Sequence, residues 1–180
     1  MILVRVAGVA LDPTGQHVIL LKPIDELAGE GRLLPIWIGA QEATSILVAV
    51  EGADVPRPLA HDLMRSLLDV VGASVTGVAV TRIEEGTFYA EVTLSTALGE
   101  RVVDARPSDA VALASRVDAP IWVAEAVMAD AGVLDTVTEA DDDVDVGADD
   151  DDIVPDEVAR ERLDEFKRFL DDVDPEDFRG

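Results

Sequence analysis

Residues 2–11 are rich in valine and isoleucine and alternate imperfectly between apolar and polar positions, which predicts a strand. Asp12-Pro13-Thr14-Gly15 has turn composition, and His17-Val18-Ile19-Leu20-Leu21 predicts a second strand, hence a hairpin. Residues 25–32 are polar with two glycines and predict a loop. Residues 33–38 predict a third strand, in which Pro35 marks an edge or a bulge. The spacing then turns helical over residues 41–50, with Glu42 in the first turn and Glu51-Gly52 as the stop. A second helix is predicted over residues 58–71, its buried stripe formed by Leu59, Leu63, Leu67 and Val70 or Val71.

Alternation returns in a three-stranded meander over residues 74–83, 88–94 and 101–104. A helix opens at Pro107, where a proline loses nothing because that N–H would be unpaired anyway, and Asp109 lies in its first turn. Ile121-Trp122-Val123 is a short strand, and a last helix over residues 124–131 ends at Gly132. The pattern describes an α+β domain: a mixed, mostly antiparallel sheet with about four packed helices. Both Arg57-Pro58 and Arg106-Pro107 stand at predicted helix starts, so one junction chemistry looks reused.

Composition changes the picture after residue 138. The whole chain carries −24, yet residues 1–138 hold 9 basic and 19 acidic residues (−10), against 5 and 19 (−14) in residues 139–180. The domain therefore spans residues 1–135. An acidic, disordered linker is expected over 136–154, and an amphipathic helix and tail over 155–180, with Val158, Leu163, Phe166, Phe169 and Leu170 on one face. Such a tail would suit a basic partner or simply a solvated surface. No cysteine is present, which excludes a disulfide framework, a thiolate nucleophile and a cysteine zinc site. Without a signal peptide or an apolar run of transmembrane length, a cytoplasmic protein with no membrane association is expected.

Candidate chemistry gathers at residues 104–109, where Asp104, Arg106, Ser108 and Asp109 crowd one strand-to-helix junction. Caps and structural ion pairs are commoner there than active sites: Arg106 and Asp104 could form such a pair, with Asp109 an ordinary helix-start residue. Of the two histidines, His61 is the one beside a carboxylate and near a helix start, and no Ser-His-Asp arrangement can be read from the spacing. Glu42, Asp62, Asp104 and Asp109 lie at element ends and could hold a hard divalent ion, which takes one or two carboxylates with water and substrate phosphate. Guanidinium groups beside helix N-termini suit a phosphate, or equally an internal acid.

Five segments in order resemble the bifunctional nuclease domain family, also called domain of unknown function 151. They are Leu34-Pro35-Ile36-Trp37-Ile38-Gly39 with Glu42-Ala43, Arg57-Pro58 with His61-Asp62-Leu63, Gly86-Thr87-Phe88-Tyr89-Ala90, residues 104–114, and Pro120-Ile121-Trp122-Val123. The resemblance covers about residues 1–135. It implies a small α+β protein forming oligomers, a dimer above all, and cleavage of DNA and RNA; the C-terminal module of the plant members is replaced by the acidic tail. If that activity holds, residue type suggests the roles. His61, Asp62, Asp104 and Asp109 would be catalytic, with His61 as acid or base. Glu42, Asp104 and Asp109 would hold Mg²⁺ or Mn²⁺, with Asp62 as an alternative ligand. Arg57, Arg106 and Ser108 would bind substrate. The competing expectation is a non-enzymatic oligomeric binding or regulatory module. A nuclease should show a positive cleft built from Arg57, Arg65, Arg106 and Arg116, whereas a scaffold would bury those arginines against Glu42, Asp62, Asp104 and Asp109.

Overall fold

The computed structural model describes residues 1–135; the expected acidic linker and amphipathic tail lie outside them. The elements run β1 (Ile2–Leu11), β2 (His17–Pro23), β3 (Arg32–Ile38), α1 (Ala40–Glu51), α2 (Ala60–Val70), β4 (Ser74–Glu84), β5 (Thr87–Thr96), β6 (Gly99–Ala105), α3 (Pro107–Val117), β7 (Ile121–Val123), α4 (Glu125–Ala131) and β8 (Val133–Leu134). The strands form one sheet in the order β6-β5-β4-β7-β1-β2-β3-β8. Every described pairing is antiparallel except β4 with β7, so the α+β expectation holds. The sequence reading lacked only β8, whose two residues are too short to show a period.

Local chemistry accounts for the joints. Glu85 and Gly86 both have positive φ, which lets the β4–β5 hairpin turn follow the strand twist. Gly52 takes the left-handed conformation at the end of α1, and its N–H closes back on the Val48 carbonyl. Pro35 pairs with Leu20 on β2, while β8 reaches only Arg32 and Leu33 on the other side of β3. The proline therefore sits where its missing N–H breaks no described ladder, as the edge expectation required.

The core lies between the sheet and the helices. Ile19, Leu21, Leu34, Ile46, Val80, Val111 and Val123 are fully buried in it. α3 is central: it packs on α1, α2, β4 and β5, and its run from Ala110 to Ala114 is buried. Small residues permit that close approach on several sides.

Two expectations are corrected. α2 begins at Ala60, not at Pro58, because the Asp62 carboxylate accepts the Leu59 N–H (2.8 Å) and so fixes Leu59 as the residue before the helix. The two Arg-Pro pairs are therefore not equivalent, and Arg106-Pro107 alone opens a helix directly. The apolar stripe of α2 is also not buried among the described residues: Leu63, Leu67, Val70 and Val71 are exposed, while His61 is buried. The helix is rotated by polar anchors. His61 and Asp62 point inward to partners on other helices, and the leucines face out, where Leu67 and Val71 border the exposed Val103 of β6.

Candidate active site

Three helix segments bring together side chains far apart in sequence. His61, in the first turn of α2, is 5% exposed. Its Nδ1 lies 2.9 Å from the Ser45 Oγ of α1, and its Nε2 lies 3.2 Å from the Asp109 Oδ1 of α3. Asp109 also accepts from Arg106, at 2.7 Å from Nε and 3.1 Å from Nη2. Arg106 Nη2 donates on to Glu42 Oε1 at 2.8 Å. The result is a continuous array, Ser45–His61–Asp109–Arg106–Glu42, along a cleft of about 530 Å³ closed by Leu59, Ala60 and Met64.

The sequence spacing showed no Ser-His-Asp arrangement; the fold makes one. Ser45 lies three residues beyond Glu42 on the inward side of α1, next to the buried Ile46. A serine on the buried face of a helix was the available signal, but its partner is 16 residues away and only the α1–α2 geometry reveals it.

Electrostatics hold Asp109 and Arg106 in their charged forms. Burial pushes the Asp109 carboxyl up, but hydrogen bonds from Arg106 and His61 and their charges outweigh burial, so it lies below the ordinary 3.8. An ionised Asp109 is acceptor-only, so the proton on His61 Nε2 points at it. In the neutral ring, Nδ1 is then free to accept the Ser45 hydroxyl. The Arg106 guanidinium is held charged even more firmly than usual, by the Asp109 hydrogen bond first and Glu42 second. Its side chain is 67% exposed, and Nη1 has no hydrogen-bond partner among the described residues.

Four other expected site residues stand apart from this array. Asp62 takes the Leu59 N–H on one oxygen and Arg116 Nε (2.7 Å) on the other. Asp104 is exposed on β6, opposite Glu91, with no ion pair among the described residues. Arg57 is exposed and makes no ion pair among the described residues. Ser108 is buried beside Arg106 and lines a separate cleft. The four arginines do not converge: Arg116 is 3% exposed against Asp62, whereas Arg65 is exposed. Among the described residues no three His, Cys, Asp or Glu side chains cluster as a metal site. Of the expected ligands, only Glu42 and Asp109 meet, and both turn on Arg106.

A pH dependence follows. For Asp62, burial raises the carboxyl, but the Leu59 N–H, Arg116 and Arg65 together bring it below 3.8, as at Asp109. A carboxyl depressed in the folded state stabilises fully above its unfolded value and loses that contribution as pH falls through the folded one. Thermal melts between pH 7 and 2.5 are therefore expected to hold above about pH 4.5 and fall below about pH 4. The fall should be shallower in Asp62→Asn. Equal slopes in both proteins would show that Asp62 is not among the groups responsible.

Comparison with known proteins agrees with the segments that carry the resemblance. A family profile described as the bifunctional nuclease domain matches residues 20–136. The uncharacterized protein Rv1829 of Mycobacterium tuberculosis is 41% identical over 178 residues, 98% of both chains. Bifunctional nuclease 1 of Oryza sativa subsp. japonica is 29% identical over 115 residues, which is 62% of this chain and 34% of the plant protein. Bifunctional nuclease 2 of Arabidopsis thaliana is 32% identical over 109 residues, 58% of this chain and 32% of its own. No helix among the described residues is long and apolar enough to cross a membrane.

Proposed function

Because the chain belongs to the bifunctional nuclease domain family, we propose that it hydrolyses phosphodiester bonds of DNA and RNA, with the chemistry at the Ser45–His61–Asp109–Arg106–Glu42 array. The observation that carries this reading is the hydrogen-bonded line from a serine hydroxyl through a buried imidazole to an ionised carboxylate, beside a guanidinium with a free edge. Both nitrogens of His61 are engaged, so the proton of an attacking water enters through Ser45. Ser45 Oγ takes it as its own proton passes to Nδ1, and the water oxygen bonds to phosphorus. Asp109 holds the ring in that tautomer and stabilises the imidazolium, as the acid of a catalytic triad does. As the bond between phosphorus and the leaving oxygen breaks, the imidazolium returns a proton, again through Ser45, to that oxygen. Arg106 Nη1 holds a non-bridging phosphate oxygen as charge builds on it.

Glu42 and Asp109 supply the one or two carboxylates that Mg²⁺ or Mn²⁺ takes alongside substrate phosphate and water, and an ion there would compete with Arg106. Such an ion would neutralise phosphate charge. The homodimer belongs to the same proposal, with the apolar face of α2 and β6 as its contact.

The test is cleavage of single-stranded DNA, duplex DNA and RNA by the full chain, with Mg²⁺, Mn²⁺ or EDTA, beside Asp109→Asn. Cleavage that is lost in Asp109→Asn is expected, and the EDTA arm decides whether a metal takes part. Equal cleavage by a folded Asp109→Asn protein would remove the chemistry from this array. A non-enzymatic binding or regulatory module is favoured by one observation, the burial of Arg116 against Asp62, which is what a polar scaffold does with its arginines. Absence of cleavage by the folded wild-type protein would overturn the nuclease reading and favour the binding module.

A further inference from the structure

Arg106 also borders a second cleft, of about 470 Å³, on the side away from His61. Its walls are Trp37 at the end of β3, Gly86 to Phe88 at the β4–β5 turn, and Arg106 to Ser108 at the start of α3. β3 and β5 are five places apart in the sheet, about 24 Å if it were flat, so the cleft exists because the sheet curls.

Three features of this cleft leave groups open to a ligand. Trp37 is 55% exposed, yet its indole is pinned: Nε1–H donates to Asp12 Oδ2 at 3.0 Å. Asp12 is itself locked by Thr14 N, Thr14 Oγ1 and Gln16 N, at 2.8, 2.7 and 2.9 Å. A large aromatic face is thus held rigid and open to solvent. Ser108 is 6% exposed and lines the cleft, and its hydroxyl has no hydrogen-bond partner among the described residues. No side chain among the described residues caps α3, so the first-turn amides beside Ser108 remain suited to an anion.

We propose that this cleft is a nucleotide subsite, in which one base stacks on Trp37 and the phosphate joined to it sits between the Ser108 hydroxyl, the first turn of α3 and Arg106. The inference rests on the nuclease reading and deepens it. Arg106 edges both clefts, so a strand whose base lies on Trp37 runs its backbone towards His61. A base can stack there only when it is out of a duplex, so the substrate class is single-stranded nucleic acid. Every base has a π face, so this contact sets strandedness and not sequence.

The experiment is fluorescence anisotropy of a labelled ten-nucleotide oligothymidylate, single-stranded or annealed to its complement, with the full chain in EDTA. Wild-type, Trp37→Ala and Trp37→Phe proteins are compared, with circular dichroism to confirm folding and cleavage rates measured in parallel. Trp37→Ala is expected to weaken single-strand binding about tenfold to a hundredfold, with Trp37→Phe closer to wild type and duplex binding unchanged. Trp37→Ala binding as tightly as wild type, or no binding by wild type, overturns the subsite. If wild type cleaves and Trp37→Ala matches it in rate and binding, the subsite falls and the nuclease reading stands. If wild type never cleaves but binds in a Trp37-dependent way, the nuclease reading falls and the subsite stands.

Discussion

His61→Ala is expected to lower phosphodiester cleavage by about 10² to 10⁴, the usual worth of a positioned proton-transfer group. The size follows from its connections: it hydrogen-bonds both Ser45 and Asp109, so its loss breaks the proton path at its middle. Ser45→Ala should cost less, since water can replace a hydroxyl in a relay. His61 also anchors α2, so activity must be compared on protein shown to be folded. His61→Gln, which can keep one hydrogen bond without shuttling a proton, separates the two roles: a folded Gln variant should be as inactive as the alanine variant. A Gln variant with wild-type rates would show that His61 only positions α2.

The second large effect is on stability. Asp62→Ala is expected to cost about 3–5 kcal/mol, because the guanidinium of Arg116 is left inside the protein without its counter-charge. The Arg116 side chain is 3% exposed; its Nε donates to Asp62, its Nη1 donates to the Ala112 carbonyl at 2.9 Å, and its Nη2 is buried without a partner among the described residues. The same substitution frees the Leu59 N–H at the start of α2. A loss of 3 kcal/mol corresponds to a drop in Tm of roughly 10 °C for a domain of this size. Replacing both partners by apolar residues, Asp62→Leu with Arg116→Met, should recover most of the loss, since the cost lies in the unpaired charge. A Tm for Asp62→Ala within 2 °C of wild type would show that Arg116 finds water or another acceptor.

These two residues are adjacent in sequence and opposite in role. His61 and Asp62 read from the chain as one pair near a helix start. In the fold, successive helical side chains point about 100° apart, so His61 turns towards α1 and the start of α3 while Asp62 turns towards Arg116 at the end of α3. One neighbour enters the array, and the other holds the helix to its neighbour.

Periodicity and turn chemistry determined most of the fold. Strands, helices and hairpins follow from local spacing, from Pro107 and from the glycine turns, because those preferences act within a few residues. The crowding of Arg106 and Asp109 at one helix start was legible for the same reason, but the partner of Arg106 was not: the sequence offered Asp104, and the structure pairs Arg106 with Asp109 three positions on. What the sequence could not decide was any pairing set by rotation or curvature. Ser45 meets His61 across 16 residues, His61 meets Asp109 across 48, and Arg106 meets Glu42 across 64. The outward turn of Leu63 and Leu67 is of the same kind: the apolar stripe predicted burial, but the inward polar anchors of α2 fixed its rotation. Tertiary structure alone also brought Trp37 of β3 to the start of α3, since only the curl of the whole sheet brings those ends together.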